Sequence, residues 1–106
     1  MEVFDFNKIK AHPYNERNKN VLHSQDNFKV RIIKLPPNGN MPQCEMKSSV
    51  IFYIIKGMAQ VTIDKEQKIV KEGQCLITKP AMLSLRTEEG VKIMAVQIEL
   101  SHKECA

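Results

Sequence analysis

The chain has 106 residues, of which 42% are hydrophobic and 26% charged, with a formal net charge of +4. That is enough for one core and too little for two domains, and no window is long and apolar enough to cross a bilayer as a helix. The opening Met1-Glu2 carries neither a basic n-region nor an apolar h-region, so a cytoplasmic protein is expected.

Charge and cysteine usage narrow the class further. Residues 1–35 hold seven Lys/Arg against four Asp/Glu, and residues 36–106 hold nine against eight. Lysine and glutamate alternate at Lys65-Glu66 and Lys71-Glu72, the pattern of a solvated surface rather than a basic stripe with interleaved aromatics. Neither nucleic acid nor a membrane is expected as a partner. Cys44, Cys75 and Cys105 are odd in number, widely spaced and without a C-x-x-C pair, which argues against a disulfide framework and a structural zinc site.

In chain order, Val3, Phe4, Phe6 and Ile9 form a weak apolar cluster with no obvious internal role. Residues 11–20 are polar, contain Pro13 and read as loop. Val21–Ser24 is a short candidate strand. In Phe28–Leu35 the apolar Phe28, Val30 and Ile32 alternate with Lys29 and Arg31, and the strand stops at Pro36-Pro37-Asn38-Gly39, where proline cannot donate to a ladder. Val50–Ile55 is a continuous apolar run. After Lys56-Gly57 the pattern becomes alternation of Ala59, Val61 and Ile63 with polar residues. This stretch reads as a central hairpin turning at Lys56-Gly57. Shorter strands follow at Ile69–Val70, Cys75–Thr78 and Met82–Thr87. The longest is Val91–Leu100, with Met94, Val96, Ile98 and Leu100 on one face. Glycines 39, 57, 73 and 90 recur at intervals of 18, 16 and 17 residues, each where a turn is wanted. Many short strands with regular turns predict an all-β sandwich or barrel.

The segment KLPPNGNMPQCEMKSSVIFYIIKGMAQVTIDKEQKIVKEGQCLITKPAMLSLRTEEG resembles the small single-domain cupins, whose fold is a double-stranded β-helix of jelly-roll type. The resemblance covers about residues 28–100. It implies one cupin domain over residues 1–106: an N-terminal arm and edge strands at 1–27, the barrel at 28–100 and a tail at 101–106.

The resemblance also implies two metal-binding motifs, and this chain departs from both. Counted back from Gly57, the family's glutamate position is Val50 and its two histidine positions are Cys44 and Met46, or Gln43 and Glu45 with one residue more. Counted forward from Gly39, they are Glu45 and Lys47. The histidine of the second motif falls on Leu85. The chain's own histidines, His12, His23 and His102, lie outside both motifs and read as loop or strand-end residues. No metal and no cofactor is therefore expected. A softer alternative is a Cu(I)-like ion on Cys44 and Met46, two apart on one strand.

The expected reading is a metal-free cupin barrel that binds or senses a small molecule in a hollow interior, with enzyme activity left open. Cys44, Met46, Val50, Phe52, Leu85, Met94 and Val96 are expected to line that cavity. The alternative is a cupin-type isomerase, epimerase or cysteine enzyme using Cys44, with Lys47 nearby, Tyr53 or Glu45. A further alternative is a structural homodimer without ligand, and a homodimer is expected in any case, because it would cover exposed strand edges.

Overall fold

The structure, a computed structural model, describes residues 1–98. In chain order the strands are β1 (His12–Pro13), β2 (Val21–Ser24), β3 (Phe28–Leu35), β4 (Asn40–Met46), β5 (Ser49–Ile63), β6 (Glu66–Lys71), β7 (Cys75–Thr78), β8 (Ala81–Arg86) and β9 (Val91–Ile98). No described residue is helical. Leu100, His102, Cys105 and the tail at 101–106 lie outside the described residues.

The expected central hairpin is overturned, because Ser49–Ile63 is a single strand of 15 residues. Its first half pairs with β9 and β7 and its second half with β8 and β6. The strand passes from one sheet to the other at Lys56-Gly57. The register slips there, between Ile54 and Lys56, and Gly57 takes φ 90°. A Cβ at Gly57 would stand 2.3 Å from the carbonyl oxygen of Gly90. The glycine permits a close backbone approach at a bend, and a glycine after an apolar run gives the same local signal as a turn. The tight hairpin lies further on, at Asp64-Lys65 between Ile63 and Glu66, with Asp64 at φ 54°.

One sheet runs β3-β9-β5-β7, with β1 and β2 added on β3; the other runs β4-β8-β5-β6. Between them lies the core, which includes Ile33, Met46, Val50, Phe52, Ile54, Val61, Leu83, Leu85 and Ile93. Burying each large aliphatic or aromatic side chain contributes about 1.5–3 kcal/mol, so this cluster is the main source of stability.

The inward faces of β3 and β9 are set by their register. Arg31, Ile33 and Leu35 stand opposite Ala95, Ile93 and Val91, and all six are buried. The outward face carries Val30 and Ile32 opposite Val96 and Met94. The N-terminal arm covers part of this outer face, so its apolar cluster does have an internal role. The Phe6 and Tyr53 rings lie 6.3 Å apart, and Lys92 Nζ donates to the carbonyl oxygens of Phe6 at 2.9 Å and Ile9 at 3.1 Å.

Two glycines with positive φ test this geometry. Gly57→Ala should destabilise by more than the roughly 1–2 kcal/mol that a left-handed backbone costs an alanine, because its Cβ also meets the Gly90 carbonyl. Gly73→Ala, at φ 82° with no atom within 4 Å of the added Cβ, should cost the backbone term alone. Denaturant unfolding of the two variants checks this, and equal costs would contradict the close approach.

Candidate functional site

Five of the expected pocket residues meet inside the barrel. Met46, Val50, Phe52 and Leu85 belong to the core cluster, and the half-buried Cys44 packs against it. Cys44 and Met46 share the inward face of β4, whereas Gln43 and Glu45 are exposed. The other two residues require correction. Met94 and Val96 alternate with the buried Ile93, Ala95 and Gln97 and stand on the outside of β9. Both faces of β9 are apolar, so alternation alone did not say which one turns inward.

The hollow interior is not what these side chains build. Val50 is 0% and Leu85 2% exposed. Cavities of about 620, 540 and 460 Å³ lie on the outside, and none of the three is lined by Cys44, Met46, Val50, Phe52 or Leu85. One of about 540 Å³ runs between the N-terminal arm and the outer sheet, with Phe4, Phe6, Leu22, Phe28, Val30 and Met94 among its lining. Loss of polar ligands from the interior has been answered by close packing.

The positions that the cupin resemblance gives to a metal do not fit one. Val50 and Leu85 offer no donor atom and sit in apolar contact, and Met46 is buried in the same cluster. Among the described residues no three His, Cys, Asp or Glu side chains are grouped to hold an ion. Cys44 is disulfide-bonded, a correction to the reading against a disulfide framework that also removes it as a nucleophile or soft-metal ligand; Cys75 is a free, exposed thiol. The residues of the alternative enzyme do not converge. Glu45 is exposed on the outer face of β4, and Tyr53 faces outward towards Phe6.

The two described histidines are strand residues at the edge of the fold. His12 pairs with Ile33 and lies 3.8 Å from Glu16; His23 stacks on Phe28 and contacts Gln25 at 2.7 Å.

A polar cluster that the sequence reading did not single out occupies the inward face of β3 and β9. Arg31, although it reads as part of a wet face, is 5% exposed. Its Nη1 donates to the carbonyl oxygen of Arg17 and to Asn20 Oδ1, each at 2.6 Å, and its Nε makes a long contact of 3.5 Å with Gln97 Oε1. The buried Asn20 ties the 13–20 segment over this end of the barrel. Its Nδ2 donates to the carbonyl oxygens of Pro13 and Tyr14, and its own carbonyl accepts from the Ile32 amide. Arg17 lies over the Tyr14 ring, 5.6 Å from its centroid. Gln97, 2% exposed, is flanked in register by Val50 on β5 and Lys29 on β3. Gln97 Nε2 and Arg17 Nε are buried without a hydrogen-bond partner. Burial, and then the neighbouring charge of Arg17, push the Arg31 guanidinium below its ordinary pKa. The signal in the sequence is Gln97 itself, a lone amide within the apolar IMAVQI run.

A helix-free barrel of two sheets sharing a bent central strand is the architecture of a cupin domain, the double-stranded β-helix. Residues 7–104 match the mannose-6-phosphate isomerase C-terminal family, and the chain belongs to that family. No curated protein matches the chain. Among solved structures, a cupin with a double-stranded β-helix fold from Methanocaldococcus jannaschii is 24% identical, with a TM-score of 0.67 over 76% of this chain and 77% of that one. A cupin superfamily protein from Desulfitobacterium hafniense is 14% identical, with a TM-score of 0.68 over 85% and 83%. A conserved protein of unknown function from Streptococcus pyogenes is 18% identical, with a TM-score of 0.68 over 76% and 72%. At these identities the likeness is one of fold.

Leu85→Ala tests the packed interior. The substitution should cost about 2–5 kcal/mol, the range for buried truncations that leave a void. A cost well below that in chemical denaturation would indicate that Leu85 already borders empty space.

Proposed function

We propose that this cupin domain is a small-molecule-binding or sensing module that works without a metal at the family's usual positions. The ligand is held at the Arg31–Gln97 end of the barrel rather than among the apolar residues of β4 and β8. One observation carries the reading: Gln97 Nε2 and Arg17 Nε are buried without hydrogen-bond partners at this end of a well-packed interior. An unmet buried donor costs about 1–3 kcal/mol, so a ligand that accepts from it recovers that loss. The family name carries an isomerase, but binding is preferred to catalysis here because Cys44, Glu45 and Tyr53 face three different environments.

Thermal unfolding against a panel of small neutral, cationic and anionic compounds tests this reading. At least one class should raise the melting temperature of the wild type by preferential binding to the folded state. The shift should shrink in Gln97→Leu and persist in Phe28→Ala, which alters only the outer groove. No shift with any compound, or one lost only in Phe28→Ala, would contradict it.

We also propose that two copies pair through the outer sheet. Ile77 is 69% exposed on β7, beside Ile51 in the register, and β7 pairs with no strand but β5 among the described residues. An apolar edge of this kind invites pairing. Light scattering should return twice the 12.2 kDa chain mass, about 24 kDa, and Ile77→Lys should lower it towards one. A wild type of single-chain mass at high concentration would contradict pairing.

A further inference from the structure

We propose that the Arg31 end of the barrel is a site for a small oxyanion, a carboxylate or phosphoryl group, held by the guanidinium groups of Arg31 and Arg17 and the carboxamide of Gln97. The proposal rests on the binding reading above and adds the ligand's charge.

Charge accounting leads to it. The buried Arg31 guanidinium meets neutral acceptors alone: the Arg17 carbonyl, Asn20 Oδ1 and, at long range, Gln97 Oε1. The ion pairs among the described residues are His12–Glu16, Lys19–Glu16 and His23–Glu2, and none of them involves Arg17 or Arg31. Arg17, whose backbone carbonyl accepts from Arg31, brings a second guanidinium within electrostatic reach of the first, and Lys29 stands beside Gln97 on the same inward face. Buried charges in folded proteins are ordinarily paired, and a cation left without a counter-charge is costly. Among the described residues, the three positive groups at this end of the barrel have no ion-pair partner.

The donors point to the same class. Gln97 Nε2 and Arg17 Nε are buried and unpartnered. A neutral carbonyl or hydroxyl would satisfy one of them and leave the charge unanswered, whereas an oxyanion accepts from several N–H groups at once and neutralises the cations. The planar fork of arginine suits carboxylate and phosphate oxygens in particular. The site also inverts the family pattern. Val50 stands at the position that the resemblance gives to a carboxylate ligand, and its register partner on β9 is Gln97. Where a cupin metal site sets acidic and imidazole donors for a cation, this chain sets amide and guanidinium donors for an anion. Arg17 and Lys29 are both partly exposed, so the cluster borders solvent, while the donor atoms Arg17 Nε and Gln97 Nε2 are themselves buried.

Calorimetric titration of the full chain with inorganic phosphate and with succinate, beside glucose and acetamide as neutral probes, tests the proposal. At least one anion should bind saturably and raise the melting temperature; phosphate alone would identify a phosphoryl site and succinate alone a carboxylate site. Arg31→Gln and Arg17→Gln should each weaken binding about tenfold or more, the loss expected for a charge-assisted hydrogen bond. A surface control, Lys65→Gln, should leave it unchanged. Arg31 also pins the 13–20 segment, so Arg17→Gln and Gln97→Leu decide the matter if Arg31→Gln does not fold. Gln97→Leu removes an unpartnered donor together with the long contact from Arg31 Nε, so it should weaken anion binding by more than it lowers the stability of the unliganded protein. A purely structural glutamine would give the reverse: lost stability with binding intact. An anion-induced rise of equal size in every variant is the general salt effect and overturns the proposal. Stabilisation by a neutral probe and not by the anions overturns the anion assignment and leaves the binding reading standing. Binding of neither kind overturns both.

Discussion

The close passage of β5 against the Gly90–Val91 backbone is the constraint from which the rest of the barrel follows. A single strand serves both sheets, and it changes sheets where the absence of a side chain at Gly57 lets two backbones nearly touch. The bend fixes which residues of β5 face inward on either side of it: Val50, Phe52 and Ile54 before, Ala59 and Val61 after. Since β9, β7, β8 and β6 all take their register from β5, a slip at this point would turn the apolar face of every neighbour towards water. The interior is therefore specified by backbone geometry at one glycine as much as by the hydrophobic pattern.

Within that frame the two halves of the interior have been put to different uses. The half formed by β4, β8 and the distal part of β5 carries Met41, Met46, Val61, Leu83 and Leu85 and is packed hydrocarbon. The half formed by β3 and β9 carries Ile33 and Ile93 towards one end and Arg31 and Gln97 towards the other. The cost of keeping a guanidinium there is offset in part by Asn20 Oδ1 and the backbone carbonyl of Arg17, and Asn20 in turn holds the 13–20 segment across the barrel end. Those acceptors answer the hydrogen-bonding requirement of Arg31 without answering its charge. The proposed ligand role thus falls on a side chain that also has a stability role, and variants of its neighbours separate the two better than variants of Arg31 itself.

How much of this was legible in the sequence depended on whether one face of a strand or both were buried. The strands Val21–Ser24, Phe28–Leu35 and Cys75–Thr78 agree with the observed bounds, because turn residues bracket them. The barrel class followed from strand spacing and the cupin resemblance. The direction of β3 and β9 did not. Both carry apolar residues on each face, and the arm from Phe4 to Ile9 shields the outer one, so Met94 and Val96 resembled core while Arg31 resembled surface. Gly57 misled for a related reason: turns and close backbone contacts draw on the same residue. At Val50 and Leu85 the sequence spoke plainly, since neither can ligate a metal in any register, and the structure adds what fills the space.

The central claim is that the chemistry of this barrel resides on β3 and β9 at Arg31 and Gln97, beside Val50 and not at the β4 and β8 positions that the cupin resemblance gives to metal ligands. Heteronuclear NMR of the labelled protein during a phosphate titration tests it most directly, because side-chain resonances report where the ligand sits. The account predicts saturable shifts of the Gln97 carboxamide and of the Arg17 and Arg31 Nε–H signals, with the methyl groups of Leu83 and Leu85 little changed. Shifts confined to Leu83, Leu85 and Met46, or to Phe28 and Met94 in the outer groove, would place the site elsewhere and contradict it.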